Sequence, residues 1–205
     1  MQYFDTLPKI IHTNNNGVST IMTNIMARVS IMPEILKNPM VYYKYDIQEG
    51  DTPEIIAHKY YDDPYRYWIV LFANKLLDPQ WDWPLSSLQF NEYVNNKYGN
   101  NLSDLHHYEK VITKTTRGTE NDQTVTEKFT ISGEEYLHLL YENPFGVGPT
   151  VTYELPIGFV DVTIQPTAVT NYDYELDLNE SKRNINILNS KYVDQLEKEF
   201  KDLMN

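Results

Sequence analysis

The sequence predicts an α+β fold: a strand–helix–helix core with an added helix, β-hairpins, an extended N-terminal arm and a C-terminal helix. Three observations carry this reading. Tyr43, Tyr45 and Ile47 alternate with Lys44, Asp46 and Gln48, the two-residue period of a half-buried strand. Thr52 stands before Pro53, and Asp63 before Pro64. In each pair an oxygen-bearing N-cap precedes a proline at the first helical position, where a missing N–H costs nothing. Residues 108–131 form two β-rich runs around the turn-forming segment Arg117 to Gln123.

Residues 1–20 read as an extended arm in which Tyr3, Phe4, Leu7, Ile10 and Ile11 are sparse anchors and Asn14 to Gly17 breaks any period. With little apolar area of its own, such an arm is ordered by docking, on its own body or on a neighbour. Residues 20–37 cluster Ile21, Met22, Ile25, Met26, Val29, Ile31 and Met32 without one clean period, and Asn38-Pro39 closes them. In the core, Gly50 supplies the turn, and Asp51 and Thr52 offer side-chain oxygens to the free N–H groups of the first helix. The second helix, Pro64 to about Asn74, is apolar nearly all round, so a single packing surface cannot satisfy it. Its second side must be covered by the rest of the chain or by a partner.

Beyond Asn74, Pro79 and Pro84 stiffen a loop carrying Trp81 and Trp83. Ser86 or Ser87 then caps a helix with Phe90, Val94 and Tyr98 in line and Gly99 as its stop. The strands on either side of 117–123 are rich in Thr and Lys, as suits a projecting hairpin. Ser132 to Glu135 has the capping-box pattern ahead of a short helix. Strands follow near Val151–Leu155 and Phe159–Ile164, and a further hairpin is read from Tyr172–Leu178 with Arg183–Leu188. A last helix, about Lys191 to Met204, carries Val193, Leu196, Phe200 and Leu203 on one stripe, with Asp194–Lys198 and Glu197–Lys201 as i,i+4 ion pairs. The chain divides into an arm and apolar docking segment (1–40), the core with its following helix (41–100), a β-rich region with the projecting hairpin (101–175) and the C-terminal hairpin strand and helix (176–205).

Seventeen basic against twenty-nine acidic residues give a net charge of −12. Phosphate binding needs concentrated Lys and Arg, so no nucleic-acid partner is expected, nor an anionic membrane surface. There is no cysteine, hence no disulfide or thiolate chemistry. The opening residues lack the basic start and apolar core of a secretory signal, and the longest apolar run, Trp68 to Ala73, falls far short of a membrane span of roughly 20 residues. A soluble protein, used without export through a cleaved signal, is the expectation. Seventeen tyrosines fit either a Tyr-rich core or surfaces that are wet alone and buried in a complex.

Sites for chemistry are few. His106 and His107 are adjacent, so on a regular strand they point to opposite sides, a poor geometry for one metal. His12, His58 and His138 are isolated. Asp62-Asp63 and Asp78/Asp82 could be imagined as a glycosidase pair, but Asp63 reads as a cap and the others lie in a Pro-rich turn. Gly146 to Pro149 lacks the helix a phosphate loop needs. No catalytic residue, metal or cofactor is expected.

Tyr45, Gly50-Asp51-Thr52, Ile56-Ala57 and Asn74 together resemble a LysM module. That resemblance implies that Gly50, Asp51, Thr52 and Asn74 define the fold of the unit. It also implies N-acetylglucosamine polymers as ligands, so a peptidoglycan- or chitin-binding module is the alternative function. The chain departs from the module after Asn74, where Asp78 to Leu85 and then a helix stand in place of a Gly-rich turn and closing strand. A longer pattern includes GDTPEIIAHKYY, YRYWIVLFAN, the DPQWDWPLSS loop, the helix ending KYG, the N-terminal FDTLP and residues 180–200. It is similar to the baseplate wedge protein 53 family of contractile-tailed bacteriophages. This implies a structural, non-enzymatic part of the tail baseplate, assembled in the host cytoplasm and clamping or bridging larger wedge subunits. Other baseplate wedge proteins, and neighbouring wedges or the hub, would be its partners. Tyr65, Trp68, Phe72, Trp81 and Trp83 are the candidate partner-binding residues, since tryptophan and tyrosine are enriched at interface hot spots.

Overall fold

A computed structural model describes residues 3–27, 30, 31, 38, 40–118, 121–142, 148 and 150–204. It confirms an α+β protein, divided into two units: residues 1–89 with 179–205, and residues 90–178. The second unit is thus an insertion into the first. Of the expected features, Val29, Met32, Pro39 and most of the Gly146–Pro149 turn fall outside the described residues.

The first unit opens with a 3₁₀ turn, Tyr3–Thr6, followed by strands β1 (Lys9–Thr13) and β2 (Ser19–Thr23). The expected extended arm is therefore partly a hairpin, with Ile10 opposite Met22 and Ile11 opposite Ile21. The Asn14–Gly17 break is its turn: the Asn14 Oδ1 accepts from the N–H groups of Asn16 and Val18, and Gly17 takes a φ of +78° that only glycine adopts without strain. Next come β3 (Tyr42–Asp46), α1 (Pro53–Tyr61), a 3₁₀ turn (Pro64–Arg66), α2 (Tyr67–Ala73), a short α3 (Pro79–Asp82) and α4 (Ser87–Tyr98), on which the unit boundary falls.

The strand that pairs with β3 comes from the far end of the chain. It is β8 (Asn184–Leu188), antiparallel, with Tyr43 opposite Ile187 and Tyr45 opposite Ile185. The hairpin expected between residues 172–178 and 183–188 does not exist. Residues 171–181 are instead a helix, α6 (Asn171–Ser181), and β8 is free to join β3. The alternation of Tyr172, Tyr174, Leu176 and Leu178 suggested a strand, but Thr170 and Asp173 cap the helix reciprocally, with the Thr170 hydroxyl 2.7 Å from the Asp173 carboxylate. Helix α7 (Val193–Met204) ends the unit.

The core lies between α1, α2, β8 and α7, where Ile56, Ile69, Val70, Ile187 and Val193 are almost wholly buried together with Leu7 from the N-terminal segment. Asp194 and Glu197 of α7 both reach Arg66, which docks the helix onto the turn before α2.

The second unit is a four-stranded antiparallel sheet in the order β5-β4-β7-β6. Its strands are β4 (Leu105–Arg117), β5 (Thr124–Ile131), β6 (Val151–Glu154) and β7 (Phe159–Thr170). The expected hairpin is real, but β7 is longer than expected and pairs with the whole of β4, so the hairpin is the side of a sheet and not an isolated ribbon. Helix α5 (Gly133–Glu142) packs Tyr136 against Tyr108 with ring centroids 4.2 Å apart. A side chain at Gly133 would come within 3.3 Å of that Tyr108 ring. Glu175 on α6 is buried and receives hydrogen bonds from the Lys97 ammonium at 2.7 Å and the Tyr98 hydroxyl at 2.8 Å. Burial alone would raise its carboxyl pKa; the two donors outweigh that and hold it below the usual carboxylate value.

Candidate functional site

The turn that opens α1 is built as its residues dictate. Gly50 takes a φ of +85°. The Asp51 carboxylate accepts from the Gln48 N–H at 3.0 Å and the Tyr45 hydroxyl at 2.6 Å, and the Thr52 Oγ1 accepts from the Ile55 N–H at 3.3 Å. Burial, then this bond to Asp51, raises the Tyr45 hydroxyl above its ordinary pKa. Asn74 ties the end of α2 to β8. Its Nδ2 donates to the carbonyls of Val70 and Asn186, both at 2.8 Å, and its Oδ1 accepts from the Asn186 N–H at 2.7 Å. One side-chain amide therefore satisfies both backbone groups of Asn186.

The same turn is closed over by the chain itself. The Trp83 indole N–H donates to the Asp51 carbonyl at 3.0 Å, and the Ser87 N–H donates to the Glu49 carboxylate at 2.8 Å. Trp83 packs against the core. The surface beside Gly50–Thr52 is accordingly occupied by the loop after α2.

The open surface of this unit lies elsewhere. An apolar groove of about 720 Å³ runs between α2 and the N-terminal segment. Trp68, Leu71 and Phe72 line one side, Tyr3, Phe4 and Ile25 line another, and Leu77 stands at its edge 84% exposed. Beneath it, Tyr3, Trp68, Phe72 and Phe200 form an aromatic cluster with centroids 5.0–6.5 Å apart. This cluster is how the chain covers the second side of α2. The indole N–H of Trp68, a residue only 3% exposed, has no hydrogen-bond partner among the described residues. In the sequence between the groove residues Phe4 and Ile25, the β1–β2 ribbon leaves Ile11 74% and Ile21 75% exposed.

The five aromatic residues expected to meet a partner thus separate by position. Tyr65 and Trp81 are exposed, Phe72 and Trp68 line the groove from within the core, and Trp83 is hydrogen-bonded internally. Of the other groove and ribbon residues, Phe4 and Ile11 read in the sequence as anchors of the arm and Ile21 and Ile25 as apolar residues of the docking segment, none of them as a partner-binding residue, and Leu77 is not singled out. The signal for the four in residues 1–31 is an apolar content without one clean period, and Leu77 has only its place in the loop after α2.

The acidic pairs serve as caps and turns. The Asp63 Oδ1 accepts from the Tyr65 N–H, the Asp78 Oδ1 from the Gln80 N–H, and the Asp82 Oδ2 from the N–H groups of Leu77 and Asp78. His106 and His107 do not diverge as expected. A register shift between Leu105 and His107 lets their Nδ1 atoms approach to 2.8 Å, while His107 also pairs with Glu109 at 3.0 Å. No group of three or more potential metal ligands occurs among the described residues, and no described helix is long and apolar enough to cross a membrane.

No curated protein matches this chain. The family model described as base plate wedge protein 53 matches residues 1–203, which include both units almost entirely. The chain therefore belongs to the base plate wedge protein 53 family.

Proposed function

We propose that the protein is a structural component of a phage tail baseplate wedge that bridges larger wedge subunits through the groove and ribbon of its first unit. The observation that carries this is the exposed apolar surface around α2. A two-stranded ribbon is marginal alone in water, yet this one holds Ile11 and Ile21 out to solvent, and the segments on either side of it in the sequence line a groove edged by Leu77. Family membership supplies the class of occupant, an apolar-faced segment of a neighbouring wedge protein. The surface beside Gly50–Thr52, which a glycan-binding reading would need open, is filled by Trp83, so that reading gains no support from the geometry.

The test is titration of purified wedge subunits with the wild-type chain and with Ile21→Asp and Leu77→Asp. Burying one such side chain is worth about 2 kcal/mol, so each change is expected to weaken binding roughly thirtyfold. Circular dichroism should be unchanged, since both residues are exposed. Wild-type affinity in both variants would overturn the assignment. So would retention of the chain on insoluble peptidoglycan with release by soluble chito-oligomers.

A further inference from the structure

We infer that the outer edge of β3 is a docking site, and that its occupant is an extended segment of another protein that adds a third strand to the β3–β8 sheet. Along an antiparallel pair, successive residues of a strand turn their backbone groups alternately towards the partner and away from it. The Asn189 N–H donates to the Val41 carbonyl at 2.8 Å, and the Ile47 N–H donates to the Arg183 carbonyl at 2.9 Å. With Tyr43 opposite Ile187 and Tyr45 opposite Ile185 in between, residues 41, 43, 45 and 47 bond across to β8. The N–H and C=O groups of Tyr42, Lys44 and Asp46 therefore face away from it. Asn186 shows the same alternation on β8. It stands opposite Lys44, its groups face away from β3, and Asn74 takes up its N–H at 2.7 Å and its carbonyl at 2.8 Å. One edge of this sheet is thus closed by a side chain, and the other is open. Of the groups along the open edge, only the Asp46 carbonyl has a partner among the described residues, the Gln48 Nε2 at 2.7 Å.

Backbone chemistry and local charge choose the occupant. A row of N–H and C=O groups repeating every second residue is matched in spacing and direction by another extended backbone. Lys44 and Asp46 lie on one face of this edge, both exposed and neither in an ion pair among the described residues. Tyr43, 53% exposed, and the half-buried Tyr45 lie on the other face. The added strand accordingly carries an acidic residue opposite Lys44 and apolar residues beside Tyr43 and Tyr45, on its two alternate faces. A second copy of this chain fits poorly. The two-fold antiparallel register that uses Tyr42, Lys44 and Asp46 together sets Lys44 against Lys44, and like charges directly opposite are destabilising. A net charge of −12 on each copy adds to the repulsion.

The inference rests on the baseplate reading for its probes, the purified wedge subunits. Each is titrated with the full-length chain as wild type, Lys44→Pro, Lys44→Ala and the groove variant Leu77→Asp. Proline at 44 removes an N–H that no bond within the sheet uses, and an edge strand tolerates it there. Lys44→Ala keeps that N–H. The expected result is a subunit whose affinity falls at least tenfold further in Lys44→Pro than in Lys44→Ala, with circular dichroism unchanged. In its complex with the wild type, the amides of Lys44 and Asp46 should exchange at least tenfold more slowly than in the free chain. The exchange reading decides alone if Lys44→Pro does not fold. Wild-type affinity in Lys44→Pro, equal losses in the two Lys44 variants, or unchanged exchange at both amides overturns the inference. Any of these results alongside a loss in Leu77→Asp leaves the groove assignment standing. Loss in Lys44→Pro with none in Leu77→Asp does the reverse. Self-association of the wild type that Lys44→Pro abolishes also overturns the inference, because the occupant would then be a second copy. If no subunit binds the wild type, both proposals fail together.

Discussion

The two units are built on different physical terms. Fifteen of the eighteen buried apolar side chains among the described residues belong to the first unit, and only Phe90, Val94 and Val169 to the second. The first unit is nearly neutral, fifteen acidic residues against twelve basic, and gains its stability from packing around α1, α2, β8 and α7. The second is strongly acidic and is held by strand pairing, stacked tyrosines and ion pairs across a sheet whose residues are mostly half-buried. The difference teaches how an interaction protein can divide its labour. A packed unit presents a preformed apolar groove, while a sheet unit spreads charged and apolar side chains over open faces.

Removing the contribution of the C-terminus breaks the comparison most severely. A chain ending at Arg183 lacks β8 and α7, and with them Ile185, Ile187, Leu188, Val193, Phe200 and Met204 of the first core. Limited proteolysis should then digest the first unit while the β4–β7 sheet persists; loss of both units at once would show that they are not independent. Next in size, Trp68→Ala should cost about 3–5 kcal/mol, the range for deleting a large buried aromatic, read from chemical denaturation with a probe in the first unit. Asn74→Ala should cost about 2 kcal/mol, since it leaves the carbonyl and N–H of Asn186 without their partners.

The smallest effect sharpens the electrostatic side. The folded Glu175 carboxyl is held below its unfolded pKa, so its contribution is present above the unfolded value and disappears as pH falls through the folded one. Glu175→Gln should cost roughly 1–2 kcal/mol at pH 7, discounted because Lys97 is 45% exposed. The gap between variant and wild type should close on acidification below the usual carboxylate range. A gap that stays constant with pH would remove the ion pair from the account.

Local chemistry was legible in the sequence, and long-range pairing was not. Thr52, Asp63 and Ser132 cap the helices they were expected to cap, and the 108–131 hairpin stands where its alternation put it. The closing strand of the first unit was sought directly after Asn74 and found 110 residues on, at Asn184, because residues 90–178 intervene. Nothing in a local window shows that Ile185 and Ile187 pair with β3. The helix at 171–181 was hidden by an accidental period of two, although its Thr170–Asp173 cap was there to be read. Of the candidate site, the exposed Tyr65 and Trp81 were nameable from composition; the groove was not, since it joins α2 to Phe4 and Ile25 across more than forty residues.

Hydrogen exchange of the free chain compared with the assembled baseplate tests the central claim most directly. The bridging account predicts that β1, β2 and the segment 67–77 gain protection on assembly, with no comparable change in the buried interior of α1. Equal exchange of β1, β2 and α2 in the free and assembled states would contradict it.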